Sequence, residues 1–204
     1  PLVAIFAAGN RAMVKMSENS CQLAQLLIEL APKYFAPDKL QFFADNNGSG
    51  PAFSAQPFDH LFFTGSAQTG KAVMASAAKN LTPVTLELGG KSPLLIAPDV
   101  KVEDIADRII FGKTANAGQT CVAPDYLLIP RSQLSATIEA LTKQFQQFYP
   151  SVAKPSSQYT SVINQRHFSR LCGYLTQASQ RGATIISCDG QDWQQHLQSS
   201  DRLL

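Results

Sequence analysis

Extended and helical runs alternate along the whole chain, and this alternation most narrows the fold. Residues 11–16 read as a strand, Ala12-Met13-Val14 being bounded by Gly9-Asn10 and Ser17. Leu23, Leu26, Leu27 and Leu30 then recur at helical spacing until Pro32 stops the helix. Residues 41–44 are a second apolar strand, closed by the turn cluster Asp45-Asn46-Asn47-Gly48. Residues 60–63 are a third, followed by a glycine turn and an Ala-rich helix over 69–79. Residues 84–88 are a fourth, ending at Gly89-Gly90. The pattern then restarts: 92–97 extended, a helix face of Val102, Ile105, Ile109 and Ile110, 126–129 extended, 132–148 and 165–180 helical, 183–187 extended. Strands separated by helices predict crossover units and a parallel sheet covered on both faces, an α/β class. The diglycine interrupts the alternation and tolerates an abrupt turn, so it divides the chain into segments 1–88 and 89–204.

Composition removes several functional classes. Apolar residues are 45% of the 204, too many for a disordered chain. Lys and Arg number 17 against 15 Asp and Glu, a net +2 without a like-charge run, so no nucleic-acid-binding face is expected. Charged residues are only 16%, below the roughly 25% usual in soluble domains. That shortfall predicts surface covered by another part of a protein. No apolar run approaches the roughly 18 residues of a membrane span, and Pro1 opens an apolar stretch without a basic leader or an initiator Met. Cys21, Cys121, Cys172 and Cys188 are scattered, without C-x-x-C or Cys/His metal spacing, and fit a reducing, cytoplasmic setting. His60, His167 and His196 share no spacing with one another or with a Cys.

Three places carry chemistry. Gly65 to Lys71 runs from a strand through a glycine turn into a helix start, where free amides favour a phosphate. It fits G-x-x-x-x-G-K, but Ala72 stands where that motif needs a Ser or Thr hydroxyl for Mg²⁺, which disfavours a triphosphatase. A dinucleotide pyrophosphate site, without G-x-G-x-x-G, and an ordinary strand-to-helix turn both remain open. Glu87 lies between Leu86 and Leu88; apolar neighbours in a central strand would raise its pKa and suit it to a general base, whereas an edge strand would turn it to water. Cys121 follows the polar loop Asn116-Ala117-Gly118-Gln119-Thr120 and is a candidate nucleophile, or else a small buried thiol. Cys21, Cys172 and Cys188 are expected to be such buried thiols, and Trp193 a surface or interface residue.

The order of the motifs adds to these readings. Gly9-Asn10 with Lys15-x-x-Glu18, then Phe63-Thr64-Gly65-Ser66, then Leu86-Glu87-Leu88-Gly89-Gly90-Lys91, then Gly118-Gln119-Thr120-Cys121 resembles the aldehyde dehydrogenase superfamily. Cys121-Val122-Ala123-Pro124-Asp125-Tyr126 is similar to the branch of class 3 fatty and aromatic aldehyde dehydrogenases and coniferyl aldehyde dehydrogenases. The likeness extends from Pro1 to about Ser187.

The resemblance implies that Cys121 attacks an aldehyde and that Glu87 activates the water that hydrolyses the resulting thioester. The Cys121 amide would give half of an oxyanion hole, and Asn116 is a polar-contact candidate. Lys15 and Glu18 would hold the adenosine ribose hydroxyls, the Glu favouring NAD⁺ over NADP⁺. Gly65, Ser66 and Gly70 match the pyrophosphate turn. The substrate would be a small aldehyde, aromatic or medium-chain, and the full-length protein a homodimer. Segment 1–88 would be the second half of a cofactor domain and 89–204 the first half of a catalytic domain. The chain thus looks like an internal fragment, and alone it would be inactive or retain only nucleotide or partner binding.

Overall fold

A computed structural model describes residues 1–45, 48–150 and 158–204, so Asn46 and Asn47 of the predicted turn cluster lie outside the described residues. The chain divides into two compact units, Pro1–Leu88 and Gly89–Leu204.

The first unit opens with α1 (Leu2–Ala7). Two successive crossovers follow. In one, β1 (Ala12–Lys15) leads through α2 (Cys21–Leu30) to β2 (Leu40–Phe43), and Ala12 pairs with Leu40 in a parallel ladder. Pro32 sits in the 3-10 turn that ends α2, as its missing N–H requires. A short α3 (Ser49–Ser54) intervenes. In the other crossover, β3 (Leu61–Gly65) leads through α4 (Ala67–Ala78) to β4 (Val84–Leu88), again parallel. Alternation sets the faces: Leu61 is buried while the next residue, Phe62, is 45% exposed. On the covered side, Gly70 and Ala77 of α4 are buried. A Cβ on Gly70 would meet Leu88 Cδ2 at 3.0 Å, so the glycine lets the helix lie close on the strand.

The second unit is a third crossover. β5 (Ser92–Leu95) leads through α5 (Ala106–Thr114) to β6 (Pro124–Leu128), in parallel with a register shift between Ser92 and Pro93. Three helices follow: α6 (Leu134–Phe148), α7 (Gln165–Gln180) and α8 (Trp193–His196). Ile96, Val102 and Ile109 form the core, with Leu94, Ile105, Leu127 and Leu141 packed against them. We expect Ile109→Ala to cost about 2–4 kcal/mol by chemical denaturation, because it leaves a cavity at a 5%-exposed site. Phe111→Ala, on the 67%-exposed side of the same helix, should cost less than about 0.5 kcal/mol.

Several expectations are corrected. Among the described residues the strands form three two-stranded parallel pairs rather than one continuous sheet. Among the described residues β3–β4 is covered on one face only, Phe62 standing out from the other. The helix expected through Val102 is split into a 3-10 turn (Val102–Asp104) and α5, with Ile105 at φ −128° between them. Steps of three residues in the 3-10 turn and four in the α-helix still bring 102, 105 and 109 to one core. Residues 183–187 form no strand, for no neighbouring strand ladders with them. Ser187 instead turns its hydroxyl to Asp189. Cys21 is exposed at the start of α2, and its Sγ donates to the Glu18 carbonyl at 3.0 Å. Trp193 needs no such correction, being partly exposed at the first position of α8, a helix capped by Asp192 accepting from the Gln194 N–H.

Candidate active site

Lys15 and Gly65 each stand at the carboxyl end of a parallel strand of the first unit, the end at which open α/β sheets bind ligands. Lys15 ends β1 and forms a half-buried ion pair with Asp45 at 2.5 Å. The Lys15 ammonium, helped by the Gly48 N–H, holds the Asp45 carboxyl below its usual range. This contribution is present above the unfolded-state carboxyl pKa and fades as the pH falls through the lowered value. Glu18 is exposed one turn further along. Gly65 ends β3, and Ser66 caps α4 by accepting from the Thr69 N–H at 3.1 Å. The cap leaves first-turn amides of α4 without an intrahelical partner, as an anion site requires. Gly70 lies on the strand-facing side of α4, against Leu86 and Leu88.

Glu87 sits on β4 directly opposite Thr64 of β3. Both side chains are exposed, so of the two surroundings open for Glu87 the water-facing one holds and the apolar one is corrected. The flanking leucines occupy the alternate face, where Leu86 and Leu88 meet Gly70.

Cys121 is exposed in the second unit, in the Thr120–Ala123 turn closed by Ala123 N–H donating to Thr120 O at 3.2 Å. Two features fix the turn's backbone. A Cβ on Gly90 would fall 2.9 Å from the Cys121 carbonyl oxygen, so only glycine permits this approach. Lys91 then pairs with Asp125 of β6 at 3.0 Å, an exposed bridge that contributes at most about 1 kcal/mol. Before the turn, Asn116, Ala117 and Gly118 are all left-handed, at φ 53°, 53° and 72°. A Cβ on Gly118 would also meet the Lys113 carbonyl at 3.0 Å.

Gln119 stands beside the candidate nucleophile and is a residue that sequence reading did not single out. It is half-buried, and its amide bonds to both Asn116 and the 161–163 segment. Its place inside the motif gave the only signal. Asn116 is exposed, its carbonyl accepting from Gln119.

The remaining thiols differ in kind. Burial pushes the thiols of Cys172 and Cys188 up, which disfavours the nucleophilic thiolate. Near the chain end, Ser187 Oγ donates to Asp189 Oδ1 at 2.5 Å, while His196 Nε2 lies 3.3 Å from Ser187 Oγ and 3.2 Å from Asp189 Oδ2. Burial pushes the Asp189 carboxyl up, but the Ser187 hydroxyl, the Gln191 N–H and His196 outweigh it and hold the carboxyl below its usual range. One imidazole nitrogen serves both contacts, so this histidine does not relay between serine and aspartate as a nucleophile triad demands. Among the described residues no group of three His, Cys, Asp or Glu side chains could hold a metal, and no helix is long and apolar enough to cross a membrane.

Parallel crossover units carry a capped glycine turn, a strand carboxylate and an exposed loop cysteine, an arrangement of the α/β class. The sequence profile described as the aldehyde dehydrogenase family matches residues 1–201, and the chain belongs to that family. It is 45% identical over 197 residues to a probable coniferyl aldehyde dehydrogenase of Pseudomonas aeruginosa, covering 97% of this chain and 41% of that protein. It is 44% identical over 175 residues to the dimeric NADP-preferring aldehyde dehydrogenase of Mus musculus, covering 86% and 39%. Among solved structures, Staphylococcus aureus AldH in a substrate-bound state matches with TM-score 0.81 at 36% identity, over 94% of this chain and 42% of that one. An aldehyde dehydrogenase of Mycobacterium tuberculosis complexed with NAD⁺ matches with TM-score 0.79 at 30% identity, over 88% and 38%. The chain spans about two fifths of the length of the curated relatives it matches.

Proposed function

We propose that this chain is the part of an NAD(P)⁺-dependent aldehyde dehydrogenase that carries its nucleophile and its base. The observation that carries the reading is an exposed Cys121 in a turn whose backbone is clamped by Gly90 and approached through three left-handed residues. A thiol held this way meets a carbonyl carbon with little freedom left to lose. The Cys121 thiolate adds to the aldehyde carbon and the oxygen becomes an oxyanion, which the Cys121 backbone N–H would stabilise. When bound, a nicotinamide dinucleotide would supply the hydride acceptor. Glu87 then takes a proton from water, and the hydroxide so formed displaces the Cys121 thiolate and releases the carboxylic acid. The balance is aldehyde, oxidised cofactor and water to acid, reduced cofactor and one proton.

Residues 1–88 are read as cofactor-binding and 89–204 as catalytic. The Ser66-capped start of α4 would take the pyrophosphate, and Lys15 and Glu18 the adenosine ribose. The exposed Glu18 carboxylate opposes a 2′-phosphate and so favours NAD⁺. Similarity to coniferyl aldehyde dehydrogenases favours an aromatic aldehyde. The dimeric relative favours a homodimer for the full-length protein, which we read as cytoplasmic.

A second reading concerns the 204 residues alone. Among the described residues no large side chain is fully buried, while Phe62, Tyr126 and Leu128 are 45%, 47% and 50% exposed. Apolar surface of this kind favours an isolated chain without turnover. Reduced-nicotinamide absorbance with NAD⁺ and an aromatic aldehyde separates the cases. We expect a Cys121-dependent signal from a family-length protein carrying this chain and none from the 204 residues alone. Silence from both would refute the enzymatic reading.

A further inference from the structure

We propose that Gln119 is a positioning residue for Cys121, locking the nucleophile's loop to the 161–163 segment through its side-chain amide. The inference rests on the reading of Cys121 as the nucleophile. Gln119 bonds through both ends of its amide: Nε2 donates to the Asn116 carbonyl at 3.0 Å and to the Ser161 carbonyl at 3.2 Å, and Oε1 accepts from the Ile163 N–H at 2.8 Å. Both donor hydrogens and one acceptor site are thus committed. The partners at 161 and 163 are 42 and 44 residues away, so the contact is a tertiary clamp.

The anchor is itself held. Val162 N–H donates to the Arg202 carbonyl at 3.0 Å, and Arg202 Nε returns a bond to the Val162 carbonyl at 2.9 Å. On the loop side, Asn116 and Ala117 sit at φ 53°. Asn tolerates this region but Ala does not favour it, and such backbone persists only where its surroundings over-determine it. Gln119 supplies that constraint: its backbone N–H bonds to the Asn116 carbonyl at 3.1 Å, and its side chain bonds to the same oxygen. Two residues later comes Cys121, whose turn begins at Thr120. A relaxed Gln119 therefore frees the left-handed turn, and the thiol and its backbone N–H move together.

Two variants in a family-length protein carrying this chain test the role. Gln119→Met keeps the length without the bonds; Gln119→Asn keeps the amide but is one methylene short of both anchors. Each should lower kcat by about 10–10²-fold, because a displacement near 1 Å at a reacting atom costs on that scale. The cofactor Kd and the rate of Cys121 alkylation by iodoacetamide should stay within about twofold of the parent, since neither needs the precise turn. A residue that merely stabilised the fold would lower Tm and leave kcat alone. Gln119→Asn is the milder change and decides the matter if Gln119→Met misfolds. Wild-type kcat in a folded Gln119→Asn overturns the positioning role. Turnover surviving in Cys121→Ala would instead overturn the underlying nucleophile reading, so the two failures are distinct.

Discussion

Replacing Cys121 by Ala should lower aldehyde oxidation by at least ~10⁴-fold in a family-length protein carrying this chain, since loss of a covalent nucleophile removes the intermediate itself. The cofactor Kd should not move, because Cys121 lies in the second unit and the candidate cofactor residues all lie in the first. The informative control is Cys21→Ala. Cys21 is the other exposed thiol, yet it starts a helix and gives its hydrogen to the Glu18 carbonyl. Its replacement should leave turnover within about twofold, as a surface change away from the chemistry does. Cys172 and Cys188 are weaker candidates still, since burial pushes their thiols up. Rates from reduced-nicotinamide absorbance and cofactor affinity from fluorescence titration, made on the same variants, decide between the thiols.

The strands were the legible part of the fold. Each is four or five residues of apolar, β-branched or aromatic character closed by a turn, and each was found within two residues of its observed ends. Helix α7 was legible to the residue because Asn164 caps it, accepting from the His167 N–H, and its apolar positions repeat over four turns. The short helices α1, α3 and α8 were not, for four to six residues cannot establish a period. Residues 183–187 failed differently: they are apolar enough for a strand, but a strand exists only with a partner.

At the site, motif order pointed to Glu87 and Cys121, but not to their surroundings. Leucines on both sides of Glu87 describe the opposite face of β4, since neighbours in a strand diverge; directly across the ladder on its own face stands Thr64. Gln119 was hidden for another reason. Its partners at Ser161 and Ile163 are set by tertiary structure, which no local spacing encodes.

Glu87→Gln is the sharper test of the division of labour, because it changes proton affinity at nearly constant shape. The amide cannot take a proton from water, and positioned general bases contribute about 10²–10⁴-fold, so steady-state kcat should fall by that order. The first turnover should be spared. Cys121 needs no water to add to the aldehyde, and reduced cofactor forms before hydrolysis. Rapid mixing should therefore give a burst of reduced nicotinamide approaching one equivalent per Cys121, followed by a slow steady rate. The exposure of Glu87 beside Thr64 supports this assignment, since a base that activates water must be reached by water. If Glu87 acted instead on the Cys121 thiol, the burst itself would slow in step with kcat and its amplitude would vanish. The burst-phase rate, more than the steady state, thus separates a base for water from a base for sulfur.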